Sequence, residues 1–385
     1  IGNESENYQG TMLLNGNGIE YVNIFDCDIV GNKAPNQAGI YIGNGDHIII
    51  NSCRIDSNVA DGGSGAGLNI NNNDRVEIIN TKIRFNEADN SAPALNLDAI
   101  DSVFISSCEI LENTSNGSHV ILISENVDYA LFSGTNIISN EGYHSGGMWC
   151  GADYLIMESC RIDSNIAQGT GGGLFLQGDH HFITNCLITY NEASDYASIY
   201  ASVEELIIKN STIANNTNNS THSASVGLAG DNDYLIFNSI IYEPNSPKDI
   251  YVNGNSNLSL YNNLLLHTNI LGTQPIIDSN VIYSSIDPFV DLQNGNYSLA
   301  DSSLAIGAGT DSVIFLGNTI YSSTLDYTNF LRPNPANSNP DIGVYENTRA
   351  VPMILGCMDT LAFNFNSLAN ENDSSLCCYL SGCID

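Results

Sequence analysis

Cationic side chains are scarce in this sequence. Ten Lys and Arg face 43 Asp and Glu, a formal net charge of -33 over 385 residues. That balance excludes nucleic acid and anionic membrane surfaces as natural partners, since both are held through Lys and Arg. It also weighs against polyanionic polysaccharides and favours cations. Long apolar runs are missing too: no stretch of about 18 apolar residues offers a membrane-spanning helix. No leader-peptide pattern opens the chain, so its first residue reads as a mature terminus. Helical periodicity is absent from the body of the chain. So are a nucleophile elbow, a phosphate-binding loop and a zinc motif.

What the sequence does have is a repeat. Its clearest form is Leu155–Asn165, Leu-Ile-Met-Glu-Ser-Cys-Arg-Ile-Asp-Ser-Asn. With Cys160 as anchor, equivalent anchors are Cys27, Cys53, Thr81, Cys108, Thr135, Cys186, Ser211 and Ser239. They recur every 25 to 28 residues. Isoleucine lies two residues after every anchor, from Ile29 to Ile241, and an apolar residue three before, from Ile24 to Ile236. Asparagine lies five after: Asn32, Asn58, Asn86, Asn113, Asn140, Asn165, Asn191 and Asn216, until Pro244 breaks the column. Columns held in register over this length mean one structural unit stacked on the next.

The unit reads as strands. β-branched runs alternate with short Gly, Asn and Asp turns. The inward parity shifts at the anchor, which implies a bend between two short strands. A third strand follows at 39–42, 67–70, 94–97, 147–150, 173–176 and 198–201. The expected fold is therefore all-β: a right-handed parallel β-helix, three short strands per coil of about 26 residues, with coils roughly 4.8 Å apart. The 42% of hydrophobic residues suffices for a continuous core. The Asn column is expected at sharp left-handed turns, its amides bonding up and down the stack. The Cys/Thr/Ser column is expected inside. Its neighbours Cys27/Cys53 and Cys160/Cys186 could be bridged, although in-register stacking aims such side chains alongside one another. The chain divides into a lead-in coil or N-terminal cap (1–23), β-helix repeats (24–265), a closing β-helix segment (266–346), a linker (347–355) and a Cys-rich module (356–385).

Three outward features invite function. Seven residues before the anchors stand Glu20, Asp46, Asp74, Asp101, Asp128, Asp153, Asp179 and Glu204. Stacked carboxylates repel unless bonded or bridged. They read either as turn acceptors for their own loops' N–H groups or as a line of Ca²⁺ sites. The second feature is an aromatic stripe. The outward middle residue of the third strand is Tyr41, Asn69, Asn96, Leu122, Trp149, Phe175 and Tyr200 in turn. Trp149, Phe175 and Tyr200 occupy successive coils. They would stack on sugar rings, bury against a partner chain, or lie under a neighbouring loop. The third is the tail. Cys357, Cys377, Cys378 and Cys383 crowd the last 29 residues, which suggests disulfides and an oxidising, extracellular setting. Cys357 is expected to pair with Cys377 or Cys378, leaving Cys383 for the other. Between them Asp359, Asn364, Asn366, Asn370, Asn372 and Asp373 offer oxygen ligands. So small a segment has almost no core, and disulfides with Ca²⁺ are its expected source of stability.

Residues 287–346 carry a resemblance. Asp287-Pro-Phe-Val-Asp, Asn294-Gly-Asn-Tyr-Ser-Leu, Ser303-Leu-Ala-Ile-Gly-Ala-Gly, Arg332-Pro and Asp341-Ile-Gly-Val-Tyr-Glu look like the closing segment of choice-of-anchor Q proteins. With the repeats, the chain resembles secreted bacterial β-helix proteins of pectate-lyase-like architecture. The resemblance implies secretion and surface attachment, and no one activity. The tail is similar to short Cys/Asp/Asn repeats of Bacteroidetes surface proteins, themselves like thrombospondin-type calcium repeats. Gly-Cys-Ile-Asp at its end resembles the opening of another such unit, so the natural chain is expected to continue.

Catalysis is poorly supported. Polygalacturonase-like hydrolases need His and Arg-x-Lys beside clustered aspartates, and pectate-lyase chemistry needs an Arg or Lys base beside calcium. Arg54, Arg75, Lys82, Arg84 and Arg161 read as solvated surface, and His180-His181 as a turn pair. The expectation is a non-catalytic, extracellular structural or adhesive surface protein, self-associating head to tail as a fibre subunit. The alternatives are a glycan-binding adhesin, or a polysaccharide lyase or glycoside hydrolase on the same scaffold.

Overall fold

A computed structural model describes residues 12–220, 224–351 and 354–379. The chain forms two compact units, divided between Ile286 and Asp287. The first is an all-β parallel helix of stacked coils. One coil shows the pattern: a long strand Leu68–Ile79, a three-residue strand Lys82–Arg84 and a two-residue strand Glu87–Ala88. Each pairs in parallel with the same strand of the next coil. Among the described residues this builds three sheets, one of them of 11 strands of two or three residues from Asp28–Val30 to Ile282–Tyr283.

The long strand differs from the expected pair of short ones. The segments read as a third strand and the following first strand are joined in Ile40–Asn51, Leu68–Ile79 and Leu95–Ser106. The left-handed residues Asn44, Asn72 and Ala99 bend these strands without interrupting them. In several later coils the join is broken: His119–Ile123 is separate from Val127–Ser133, Ser145–Cys150 from Tyr154–Glu158, Val226–Leu228 from Asp233–Phe237 and Ile250–Val252 from Asn257–Tyr261.

Two sharp corners bound the three-residue strand. The residue before each anchor has positive φ (Ser52, Asn80, Ser107, Ser159, Asn185), and so does the fourth residue after it (Ser57, Phe85, Glu112, Ser139, Ser164, Tyr190). The turn thus falls one residue ahead of the Asn column, which corrects the expectation that Asn itself is left-handed. The physical reason is direction: the left-handed residue rotates the chain so that the next side chain points inward.

That inward Asn column is a hydrogen-bonded ladder, buried at every rung. Asn140 Nδ2 donates to Asn165 Oδ1 (3.0 Å) and to Ile110 O (3.0 Å), and its backbone N–H donates to the same Oδ1 (3.1 Å). The pattern repeats from Asn58 to Asn191. Every amide proton and oxygen has a partner, which is what makes a polar stripe tolerable in an apolar interior. The ladder does not stop at Pro244. The strand Ile240–Tyr242 is followed directly by Glu243, without the left-handed residue, so Glu243 points inward one position early. It is fully buried and accepts from Asn216 Nδ2 (2.7 Å), Asn216 N (2.7 Å) and Ser225 Oγ (2.7 Å). Burial pushes its carboxyl up to about 8 against those three donors.

The anchor column is interior from Cys53 onward. Its side chains brace the first corner: Thr81 Oγ1 donates to Ile79 O (2.9 Å) and accepts from Cys53 N (3.3 Å). The cysteines are free thiols, so neither Cys27/Cys53 nor Cys160/Cys186 is bridged. Their sulfurs turn to carbonyls instead, Cys53 Sγ to Asn51 O (3.3 Å) and Cys186 Sγ to Thr184 O (3.3 Å). Burial pushes Cys108 up to about 11 and Cys150 up to about 12, holding both as thiols. Around these columns one apolar core runs continuously from Val22 to Ile270.

The second unit contains two antiparallel pairs, Phe289–Asp291 with Asn296–Leu299 and Ser312–Phe315 with Asn318–Tyr321. The Arg332-Pro and Asp341–Glu346 motifs meet here. Arg332 and Glu346 form a buried ion pair at 3.0 Å, and the guanidinium also donates to Gly343 O (2.9 Å). Asp341 accepts from Gly307 N (2.6 Å) and Asn347 N (2.5 Å). In the tail Cys357 is bonded to Cys377. Cys378 is disulfide-bonded as well, and Cys383 lies outside the described residues.

Candidate ligand-binding cleft

The acidic column lies in the long strands, just past their bends. Asp46, Asp74, Asp101, Asp128 and Asp153 are exposed and Asp179 half-buried. Their carboxylates accept no N–H from their own loops; that bracing falls to Asn73, whose Oδ1 takes Gly45 N (2.9 Å). Asp46, Asp74 and Asp101 line a polar hollow of about 270 Å³ with Asn44, Asn72 and Asn73. Across it Asn72 Nδ2 donates to Asn44 Oδ1 (2.7 Å), and Asn44 Nδ2 to Asn15 Oδ1 (2.6 Å). Among the described residues no three His, Cys, Asp or Glu side chains converge as a metal cluster.

Each of the six tail residues accepts a hydrogen bond from a different backbone N–H. Asp359 Oδ1 takes Leu361 N (2.8 Å) and its Oδ2 the Tyr379 hydroxyl (2.7 Å). Asn364 takes Cys378 N (2.9 Å), Asn366 takes Leu368 N (3.0 Å) and Asn370 takes Ile354 N (2.8 Å). Asn372 takes Met358 N (3.0 Å) and Asp373 takes Ser375 N (2.9 Å). Asp359, Asn366 and Asp373 brace local turns, while Asn364, Asn370 and Asn372 tie segments 14 to 16 residues apart. Calcium needs six to eight oxygens around one point, a demand that would compete with these bonds.

The arginines and Lys82 on the coils are paired. Arg54 donates twice to Asp28 (2.9 and 3.0 Å), Lys82 pairs with Glu109 (2.9 Å), Arg84 with Asp56 (2.9 Å) and Arg161 with Asp163. Arg75 lies over the Phe104 ring at 4.0 Å. His180 and His181 are not a turn pair. They sit in the strand Leu174–Thr184 and face opposite ways. His180 meets Glu205 (3.0 Å) outside. His181 is buried against Ala152 O (3.0 Å), and burial lowers it to about 4.

The aromatic stripe is where side chains gather. Phe175 and Tyr200 lie on adjacent rungs with ring centroids 4.8 Å apart. Two rings absent from the sequence reading complete the group. Tyr196 stacks on Tyr200 at 5.3 Å, and Tyr251 on Tyr196 at 6.0 Å with planes 7° apart. The four rings are half-buried. They line a cleft of about 300 Å³, whose remaining walls are Thr170, Leu228, Ala229 and Asn253. Among the described residues, no carboxylate, imidazole, Lys or Arg lines it. Trp149, one rung before Phe175, stacks instead on His119 at 5.5 Å, and its Nε1 donates to Gln177 Oε1 (3.1 Å). Tyr251 was legible in principle: continuing the third-strand column through Val226–Leu228 and Ile250–Val252 gives Gly227, then Tyr251. Tyr196 was not, because a left-handed loop residue (φ 54) carries its ring onto the face.

No protein-family model and no curated protein matches this chain. A crystal structure of pectate lyase Pel9A is similar over 90% of this chain and 86% of its own, with a TM-score of 0.41 and 15% identity. So weak a likeness transfers neither activity nor site residues to this chain.

Proposed function

We propose that this is a non-catalytic, extracellular adhesive surface protein that binds neutral carbohydrate on its aromatic cleft. The run Phe175–Tyr200–Tyr196–Tyr251 carries the reading. Four half-exposed rings around one cleft present flat apolar faces to solvent, the surface on which pyranose rings stack. Phenol hydroxyls, Thr170 and Asn253 supply polar groups at its edge. Among the described residues no pair of carboxyl groups lines the cleft, which supports binding over cleavage, since hydrolysis of a glycosidic bond calls for two carboxyl groups flanking it. The Cys357–Cys377 bridge favours an oxidising compartment, and the charge of -33 turns away acidic polymers.

Retention on insoluble neutral polysaccharides tests this reading. The wild-type chain should be held, and Tyr200→Ala or Tyr251→Ala should be released at least tenfold more readily. Equal retention of the variants, or cleavage of the polysaccharide into new reducing or unsaturated ends, would contradict it.

A further inference from the structure

We infer that the ligand is an extended, uncharged polysaccharide lying along the stack of coils, one sugar ring to each rung. This rests on reading the aromatic face as a carbohydrate-binding surface, and adds what the carbohydrate must look like.

The register sets the geometry. Trp149, Phe175, Tyr200, Gly227 and Tyr251 are direct Cα partners on five consecutive rungs. At roughly 4.8 Å per rung those five positions span about 19 Å along the axis. Gly227 should leave a hole in that row, and the fold closes it. A Cβ at Gly227 would lie 2.4 Å from the Tyr196 ring, so the ring occupies the space a side chain would have taken. Tyr196 reaches this place from the left-handed corner that Gln37, Gly65, Ala92 and Gly171 occupy in other coils, three residues before the long strand. Its ring stacks on both neighbours, Tyr200 on one side and Tyr251 on the other. The aromatic surface is thereby continuous from Phe175 to Tyr251. A pocket for a single sugar gains little from continuity across a missing rung, whereas a chain laid over successive rungs gains one stacked ring at each. Trp149, fixed through Gln177, extends the row by one rung. Among the described residues, cationic side chains, which a chain of uronates would require, are absent from the cleft lining.

Calorimetric titration of the full chain with neutral gluco-, manno- and xylo-oligosaccharides of one to six rings tests the inference. Affinity in at least one series should rise with each added ring to four or five, then level off. Tyr196→Ala reopens the hole over Gly227. It should weaken oligomers longer than two rings about tenfold while sparing shorter ones, and Tyr196→Phe should bind as wild type. A thermal melt of each variant checks that the coils are intact. Equal affinity for one-ring and six-ring sugars would overturn the inference and leave the carbohydrate reading standing. Tighter binding of polygalacturonate than of any neutral oligomer would overturn it on charge. Failure of every series to bind would overturn both.

Discussion

Two side-chain stacks run through the same coils and could hardly differ more. The Asn column is polar, buried and saturated with hydrogen bonds. The aromatic row is apolar, half exposed and open to solvent along one side. The Asn stack repeats without variation for eight coils and then ends on an acid. The aromatic stack is irregular, skips a rung at Gly227 and borrows a ring from a loop to close the gap. Stacking identical residues is a demand of the scaffold, because a buried amide needs the same amide above and below it. The outer face carries no such demand, so departures from the repeat there call for another account.

Breaking the inner stack should have the largest effect. Asn140→Ala strands the amide of Asn113, the backbone N–H of Asn113 and the carbonyl of Ile110 inside the core. A loss of about 3–5 kcal/mol is expected, read as a lower denaturation midpoint. Glu243 comes next. Its folded value of about 8 lies above the ordinary 4.5, so between those two values the folded chain binds more protons than the unfolded one. Stability from this group is present below about 4.5 and is lost as pH rises through about 8, by on the order of a few kcal/mol. Denaturation from pH 5 to 9 should show that slope. Glu243→Gln, which mimics the protonated acid, should flatten it.

The tail offers a third test, of local rather than global order. Reducing Cys357–Cys377 should expose residues 354–379 to protease while leaving the melt of the coils unchanged, since a disulfide in so small a module contributes about 2–4 kcal/mol to that module alone. Restoration of protection by added calcium would support an ion site among the six Asx oxygens, each of which accepts an N–H in the tail. Smallest of all is the outer charge pairing. Lys82→Ala removes a half-exposed contact to Glu109 and should change stability by no more than about 0.5 kcal/mol.

The same contrast explains what the sequence could disclose. The anchor, Ile and Asn columns gave the coil length, the parallel stacking and the core, since each inward position has an in-register neighbour that constrains it. Glu243 escaped because one missing left-handed residue shifted the column by one. The turn was placed on Asn rather than on the residue before it because the turn residue itself varies, Ser, Phe, Glu or Tyr, and shows no column. Trp149, Phe175 and Tyr200 were read as an outward row and do lie on successive rungs, yet only Phe175 and Tyr200 join the cleft. Tyr196 sits at a left-handed corner that recurs at Gln37, Gly65, Ala92 and Gly171, but the residue type there varies and shows no column. The acidic column was legible as an outward column; that its carboxylates accept no N–H from their own loops was not.

The measurement that bears most directly on the division between scaffold and binding face is neutral-oligosaccharide affinity of Phe175→Ala/Tyr251→Ala, with its melt recorded alongside. A loss of at least tenfold in affinity with an unchanged melting temperature is the expected result. Unchanged affinity with a melt lowered as far as that of Asn140→Ala would show that the rings are packing, and would contradict the account.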